Sequence, residues 1–486
     1  MSYELAPFAS VGLTPAVLES LLQQHRDQTL PRLQRLWNYY RNALADPTAT
    51  GGTPTPPHQA VGLPRRLRGR PGDASGSTER EVVIENDIAW RIHTLVDFMF
   101  PAPPRIVSRA ADPDLAERIE TALEAVFDGA EATGRWQTAA LLGSIYGTVD
   151  LHLETADLRD VPARDLDAAS LAAELPGRLT IDVLEAPRVI ALVDPDDYRR
   201  ADAVVLHYQQ PRRGTAPAGW WDRVRDSLLG HAAGPRPRTT TVVTEILSAT
   251  HRQRYEDGHL VSSTPNRLGR LPLVHIQNLA QPLHWGGLSD VEPLIPLQDE
   301  LNTRLSDRAN RVAMQSFRMW LVKGVEDADQ HPIGPGQMWF TDNEEASIQD
   351  FGGDAASPSE DAHLADLREA LDKASGVTPA AAGHIRARVG NLTSENALRI
   401  SLMGTIAKTK RKRVTYGAGI AALGELILHA LDVHGCLRTT PVDRRLDIVW
   451  ADPLPADQTR RIEDARDKAD LGVPLDVLRR ELGYAE

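Results

Sequence analysis

The stretch that decides the fold is residues 289–315, SDVEPLIPLQDELNTRLSDRANRVAMQ. Its apolar residues recur every three or four positions, which is the period of one face of an α-helix. They are Leu294, Leu297, Leu301, Leu305 and Val312. Ser289 and Asp290 are suited to cap such a helix, and Glu292 and Pro293 suit its first turn. A helix over residues 289–318 would be about 45 Å long, the span of a whole domain.

Strand-like sequences lie on both sides of this helix. Before it, residues 178–275 hold short β-branched segments separated by turn residues, such as RVIALV, AVVLHYQQ and TTTVVTEILSA. After it, further short strands are predicted at MWLVKG (319–324), GQMWF (336–340) and ASIQDF (346–351). The sequence therefore predicts an α+β chain in which one long helix leaves a β-rich region and enters a second, smaller one.

Helical periodicity marks most of the remaining chain. Helices are predicted over residues 14–44, 84–98, 113–132, 134–146 and 359–375, the last ending at Gly376. A very long helix is predicted to begin near Thr393 or Ser394, and a strand and two short helices follow it. Residues 47–78 are rich in Pro, Gly, Ser and Thr, which is typical of an arm or a long loop.

Composition limits the class of protein. A chain of 486 residues is long enough for roughly three domains. The formal net charge of −13 argues against a whole-surface grip on nucleic acid, because neutralising phosphates requires a basic face. The single cysteine, Cys436, excludes an intrachain disulfide and is expected to be a buried thiol without a role. There is no run of 18 apolar residues and no basic, apolar leader, so we expect neither a membrane span nor a signal peptide.

Two basic runs are candidate contacts with nucleic acid. RRLRGR (65–70) lies in the Pro/Gly-rich segment, and the simplest interpretation is a solvated loop. KTKRKR (408–413) is the stronger run, and we interpret it as a solvated helix face that pairs with acidic residues of a neighbouring chain. Contact with DNA or another partner is the alternative interpretation.

Motifs of the common catalytic sites are missing. The sequence has no G-x-x-x-x-G-K-[ST] loop, no H-E-x-x-H and no G-x-S-x-G. DPDDY (194–198) is interpreted as an acidic turn between strands, and GAGIAAL (417–423) as close packing of small residues inside a helix. We therefore predict no catalytic residue, no metal and no cofactor. The alternative is a DNA-processing or hydrolytic enzyme whose active site has no recognised motif.

Several segments, in their order along the chain, resemble the portal proteins of tailed double-stranded DNA bacteriophages. The resemblance covers roughly residues 80–486. It rests on the order and spacing of these segments more than on any single motif. The matching segments are VIENDIAWRIHTLVDFMFPAPPRI (83–106), LPLVHIQNLAQPLHWGGLSDVEPLIPLQDELNTRLSD (271–307), PGQMWF (335–340) and SGVTPAAAGHIRARVGNLTSENALRISL (375–402).

This resemblance implies the portal fold, with a wing of helices and a β-rich part, long stem helices, a small β clip and a helical C-terminal crown. The implied organisation is an N-terminal helix and arm (1–80), wing (81–288), stem helix (289–318), clip (319–358), second stem helix (359–375), tunnel loop (376–393), long wing helix (394–440) and crown-like segment (441–486). The segment between Met319 and Pro358 carries eight Asp or Glu residues against one Lys, as suits a clip that must not hold passing DNA.

The resemblance also implies function and site residues. The chain would form a homo-oligomeric ring of about twelve subunits at one capsid vertex, assembled in the host bacterial cytoplasm. Double-stranded DNA would pass through its channel, touched by His384, Arg386 and Arg388 of the tunnel loop. The terminase large subunit, the head–tail adaptor and the major capsid or scaffold protein would be its partners, with no membrane. Candidate docking residues in the clip, whose aromatic members are alternatively ordinary core, are Trp320, Glu326, Asp327, Trp339, Phe340, Glu344 and Glu345. A shorter adaptor ring is the structural alternative.

Overall fold

A computed structural model gives the architecture of the chain. It describes residues 3–42, 59, 82–127, 132–161, 163–211, 240–316, 319–323, 347–351, 358–382, 399–454, 458–475 and 478. Helices and antiparallel sheets make up the fold, so the predicted α+β class is confirmed. The chain forms two compact units. The first contains Met1–Gln34, Ile92–Asp290 and Arg388–Glu486, and the second contains Arg35–Arg91 and Val291–Ala387.

The described α-helices mostly lie within the predicted ranges. They are α1 (Pro15–Gln24), α2 (Leu30–Tyr40), α3 (Asp87–Met99), α4 (Pro113–Phe127), α5 (Ala132–Tyr146), α6 (Ala168–Glu174), α7 (Ile295–Ser316), α8 (Pro358–Ser375), α9 (Met403–Val433) and α10 (Gln458–Asp470). A π-helical turn at His25–Thr29 separates α1 from α2. The helix α9 ends at Val433 rather than 440, because Gly435 adopts a left-handed φ of 74° just beyond it.

The described strands all pair antiparallel. They are β1 (Arg105–Ser108), β2 (Thr148–Glu154), β3 (Thr180–Glu185), β4 (Val189–Val193), β5 (Ala201–Pro211), β6 (Thr240–Ser248), β7 (His251–Glu256), β8 (His259–Pro265), β9 (Leu273–Gln277), β10 (Met319–Lys323), β11 (Ser347–Phe351) and β12 (Leu446–Val449). The acidic stretch 194–198 is the turn between β4 and β5, as predicted.

The first unit contains a five-stranded sheet in the order β4-β5-β6-β7-β8. Successive side chains of a strand point to opposite faces, so β5 contributes to two cores. Val205 packs with Phe8 and Leu18 of the N-terminal segment. Val204 packs on the other face with Leu273 of β9. The β-rich region is therefore covered on one side by the N-terminal helices and on the other by the three-stranded sheet β3-β2-β9.

The helix α9 is the central helix of the first unit, and it packs against α4, β2, β9 and β12. Gly419 lies so close to β9 that an added Cβ would stand 2.5 Å from the side chain of Ile276. A Cβ on Gly417 would lie 3.5 Å from the Trp450 ring, which is an ordinary van der Waals contact. The predicted close packing of small residues at 417–423 is confirmed. Cys436, just beyond the helix, is buried as expected, and burial raises the pKa of its thiol.

Within the described part of the chain, α9 is also the one helix that is long and apolar enough to cross a membrane. Inside the protein, 56% of its apolar window is buried. The core helix of a globular unit meets the same criterion of length and composition, and the packing of α9 is that of a core helix.

In the second unit, the antiparallel strands β10 and β11 come between α7 and α8 in the chain, and the two helices pack together. Polar side chains of α7 face inward. The buried Asp299 accepts a hydrogen bond of 2.6 Å from the Tyr39 hydroxyl, and Asn302 accepts one of 3.0 Å from the Glu85 amide. The hydroxyl oxygen of Ser306 accepts another from the Val83 amide. The polar stripe of the helix therefore fixes neighbouring backbone instead of facing solvent.

Candidate functional site

A buried charge cluster lies in the first unit at the point where the chain leaves it. The Asp290 carboxylate is 2% exposed. Its Oδ2 lies 2.8 Å from Nζ of Lys412, and its Oδ1 lies 2.7 Å from Nζ of Lys408. One carboxylate thus binds two ammonium groups that are four residues apart on one face of α9.

Neutral hydrogen-bonding groups complete the cluster. Lys412 also donates to the Ser144 hydroxyl at 2.6 Å, and the Asn278 amide donates to Asp290 at 2.9 Å. The Tyr416 hydroxyl donates to the Asn278 side-chain oxygen at 3.3 Å. The cluster therefore ties together the end of α5, the residue after β9 and the first half of α9.

Two glycines let the backbone reach the cluster. Gly147 has a φ of 92°, and a Cβ on it would lie 2.4 Å from the carbonyl oxygen of Gly287. A Cβ on Gly287 would lie 2.5 Å from the carbonyl oxygen of Gly147. Any larger residue at either position would push apart the segments that carry Ser144 and Asp290. Their backbones are joined directly by a 2.8 Å bond from the Asp290 amide to the Ser144 carbonyl.

The electrostatics favour an ionised cluster. Burial opposes the charge on Asp290, but Lys412 and Lys408 outweigh it and hold the pKa of the carboxyl well below its usual range. Burial lowers the pKa of Lys412, against the attraction of Asp290, and burial raises the pKa of Tyr416. Because Lys408, Lys412 and the Asn278 amide all bind the Asp290 carboxylate, the arrangement acts as a clamp on the chain before α7.

A second buried charge lies within the second unit, where α8 ends. The Arg91 guanidinium contacts Asp372 at 2.7 Å and Asp87 at 2.9 Å. It also donates to the Ser375 hydroxyl at 3.0 Å and to the Val377 carbonyl at 2.6 Å. As predicted, α8 stops before Gly376, whose φ is 69°. Arg91 thus holds the backbone from which the predicted tunnel loop begins.

The arginines of α7 are paired with carboxylates on its own surface and on α8. Arg304 contacts Glu300 at 2.7 Å, and Arg308 contacts Asp361 at 2.9 Å. Arg311 forms an ion pair with Glu360. These pairs cancel the positive charge of the described part of α7, which leaves no run of unpaired arginines on it.

Most residues predicted from the resemblance fall outside the described part of the chain. This applies to His384, Arg386 and Arg388 of the tunnel loop and to the clip residues Glu326, Asp327, Trp339, Phe340, Glu344 and Glu345. Trp320 lies in β10, where it pairs with Asp350 of β11. The predicted strand at 336–340 and the start of the predicted helix at 393 or 394 are also outside it.

Two sequence interpretations are wrong. Ser289 and Asp290 do not cap α7, because the Ser289 hydroxyl donates to the Ile145 carbonyl at 2.6 Å and Asp290 binds the lysines. The helix begins later, after a 3-10 turn at Glu292–Leu294. The basic run 408–413 is not a solvated face, because Lys408 and Lys412 are buried. The sequence did contain a signal for this burial. Lys408, Lys412 and Tyr416 follow one another at intervals of four, which places the two lysines on the same face of the helix as a large, mainly apolar side chain.

The fold is α+β: one unit is β-rich, and the other contains the packed helices α7 and α8, with the antiparallel strands β10 and β11 between them in the chain. Among the described residues, no group of three or more His, Cys, Asp or Glu side chains could hold a metal ion. The family model described as phage portal protein, SPP1 Gp6-like, matches residues 19–481, and the chain belongs to this family. The match starts well before residue 80, where the resemblance in the sequence began. No curated protein matches the chain.

Members of this family are structural proteins of the bacteriophage virion and sit at the capsid vertex. The predicted family is therefore confirmed, and its structural role fits the prediction that the chain is not an enzyme.

Proposed function

We propose that this protein forms a closed ring at one capsid vertex and that double-stranded DNA enters and leaves the capsid through the channel of that ring. The observation that carries the proposal is the family match over residues 19–481. A ring of about twelve copies forms when two different surfaces of one chain fit each other and the rotation closes.

The parts of the chain are proposed to act as the portal fold implies. The helices α7 and α8 form the stem, β10–β11 belongs to the clip, and residues 376–393 form the tunnel loop. The ion pairs of Arg304, Arg308 and Arg311 support a channel that does not grip DNA, since every unpaired arginine would bind a phosphate and release counterions. The terminase, the head–tail adaptor and the capsid or scaffold protein would dock on the ring, with the clip residues as contacts.

The mass of the assembled particle tests the ring. Light scattering and particle images of one fraction should give about twelve copies of the 53.3 kDa chain around a central hole. Because closure can require capsid assembly, the same measurement belongs on portals extracted from filled heads. Heads that package DNA without this protein at any vertex would contradict the proposal.

The tunnel loop has its own test. In an Arg386→Ala/Arg388→Ala chain we expect rings to assemble and DNA to enter, but filled heads to lose their DNA more readily, because two weak phosphate contacts are removed. Arg200→Ala/Arg267→Ala, at two exposed arginines outside the loop, is the matched control with the same loss of charge. Equal retention of DNA in wild type and loop variant would rule out the contact.

A further inference from the structure

Both polar groups of the Val377 backbone are bound by side chains. The Arg91 guanidinium donates to the Val377 carbonyl at 2.6 Å, and the Val377 amide donates to the Ser375 hydroxyl at 3.1 Å. The Val377 side chain is fully buried, and Arg91 and Ser375 are 1% and 2% exposed. Because both partners are themselves buried, the backbone at Val377 is held in one position.

The end of α8 does not need this arrangement. Gly376 adopts a left-handed φ of 69°, and its amide donates to the Asp372 carbonyl at 2.9 Å. A glycine in this conformation with this bond is a complete helix cap. The bond from Arg91 to Val377 therefore fixes the chain beyond the helix and not the helix end itself.

Arg91 is held on all sides within the second unit. Its Nε and Nη2 donate to the Asp87 carboxylate at 3.2 and 2.9 Å, and its Nη1 donates to Ser375 and Val377. The same Nη1 lies 2.7 Å from the Asp372 carboxylate. A planar guanidinium directs several donors in fixed directions and can make these bonds at once, whereas a lysine ammonium offers its donors from one point.

The fixed backbone at Val377 lies close in sequence to the residues proposed to touch DNA. Pro379–Ala382 forms a 3-10 turn, and His384 lies seven positions after Val377. Seven residues of extended chain span at most about 25 Å. The position of Val377 and the direction of the chain there therefore limit where the tunnel loop can place its basic side chains.

We propose that Arg91 is a positioning residue for the tunnel loop. It is buried and does not touch DNA, but by fixing Val377 it sets where the loop begins. The inference rests on the proposed function, from which it takes the contact of His384, Arg386 and Arg388 with DNA. When the start of the loop is free to move, more conformational freedom is lost at each contact, and the contact is weaker.

Arg91→Lys tests this role and keeps the buried positive charge. A lysine still pairs with the carboxylates but loses the bond to the Val377 carbonyl. Filled heads of this variant should lose their DNA about 5-fold faster than wild type, since roughly one more residue must be ordered at each contact. Arg118→Lys is the matched control, because Arg118 also bridges a carboxylate and a backbone carbonyl, those of Asp165 and Leu166, at 2.7 and 2.9 Å.

A combination with the loop variant separates positioning from general damage. Arg91→Lys added to Arg386→Ala/Arg388→Ala should give heads that lose DNA no faster than those of the loop variant alone, because Arg91 acts only through the loop. If Arg91 had a purely structural role, its effect would add to that of the loop variant.

Ser375→Ala tests the same backbone without changing a charge, and it decides the question alone if Arg91→Lys forms no ring. It frees the Val377 amide, so hydrogen exchange at this amide and loss of DNA should both be faster than in wild type. Ser108→Ala is the matched control, because the Ser108 hydroxyl also accepts from the amide two residues on, that of Ala110, at 3.2 Å.

Two results would overturn this inference by itself. One is retention of DNA by Arg91→Lys and Ser375→Ala equal to that of their controls. The other is an effect of Arg91→Lys that is equally large with and without the loop arginines. In both cases a loop variant that loses DNA leaves the proposed contact standing. A loop variant that retains DNA like wild type would overturn the contact and this inference together.

Discussion

The Asp290 cluster and the surface of α7 contain the same chemistry in opposite surroundings. In the cluster, one carboxylate binds two lysines at 2.7 and 2.8 Å with almost no exposure. On α7, Arg304 and Arg308 bind carboxylates at 2.7 and 2.9 Å while their side chains are 44% and 43% exposed. The distances are nearly equal, but the strength of the electrostatic attraction differs, because water screens the surface pairs and not the buried ones.

The comparison separates two roles for ion pairs in one molecule. A buried charge that loses its partner is strongly unfavourable, so the Asp290 cluster permits one arrangement of α5, β9 and α9. A surface pair adds little stability, but it removes positive charge from a helix that we propose lies along DNA. The buried ion pairs fix the arrangement of the elements that they join, and the surface ion pairs adjust the electrostatic potential along α7.

The largest expected effect comes from Asp290→Asn, which leaves two buried lysines without a carboxylate. We expect the free energy of unfolding of the first unit to fall by about 3–5 kcal/mol. Hydrogen exchange in peptides from α9 and β2 would measure it, with peptides from α8 reporting the second unit. Asp307→Asn, which removes one exposed partner of Arg304, is the control and should cost no more than about 1 kcal/mol.

An apolar replacement sharpens the same comparison. A chain with Asp290→Leu, Lys408→Met and Lys412→Met should recover most of the stability lost in Asp290→Asn, because replacing a whole buried ionic group is often neutral. If the triple variant is as unstable as the single one, packing around the cluster matters more than its charge.

The next effect tests packing of α9 without changing any charge. Gly419→Ala would place a methyl group 2.5 Å from Ile276, and we expect a loss of about 1–3 kcal/mol by the same exchange measurement. Gly134→Ala in α5 meets no atom within 4 Å, and should raise the free energy of unfolding by about 0.5 kcal/mol through helix propensity. Equal effects at both sites would contradict the close approach of α9 and β9.

The next prediction concerns the pH dependence of the free energy of unfolding. It tests two histidines, His25 and His207, whose positive charge no carboxylate of the described residues compensates. Burial lowers the pKa of His25 and of His207, and the two repel each other when charged. A lowered pKa means that the unfolded chain binds more protons below pH 6.5, so stability is full above that pH and falls as pH drops through it. The slope is at most about 1.4 kcal/mol per pH unit for each histidine.

Exchange in β5 and β6 between pH 7.5 and 5.5 would measure this slope, and His207→Gln should reduce it. His259 on β8 is exposed, and His259→Gln should leave the slope unchanged. A wild-type slope of zero would mean that the two histidines stay solvated enough to accept protons in the folded chain.

The smallest effect is expected on α7. Arg308→Gln removes one exposed ion pair and should change the free energy of unfolding of the second unit by less than about 1 kcal/mol. Adding 0.5 M salt, about three times the physiological ionic strength, should erase even this difference, because exposed pairs are screened. A large or salt-resistant loss, measured by exchange in α8, would show that the pair behaves like the buried cluster.

Much of the architecture could be predicted because it depends on local patterns. Apolar spacing located α7 and α8, alternation located the β-rich region, and Gly376 marked the end of α8. The order of short motifs was enough to indicate the family, which the match over residues 19–481 confirms. The residues proposed to touch DNA came from that resemblance and remain predictions.

The tertiary structure alone decided what the charges do. Asp290 looks like a helix cap in the sequence, yet its partner Lys412 lies 122 residues away. Lys408 and Lys412 belong to the most basic run of the chain and are buried, while Met403 and Val414 of the same helix face outward. Periodicity shows that a helix has two faces, because that follows from local geometry. Which face is buried depends on the elements that meet it, and here a carboxylate brought by a distant segment compensates for burying two lysines.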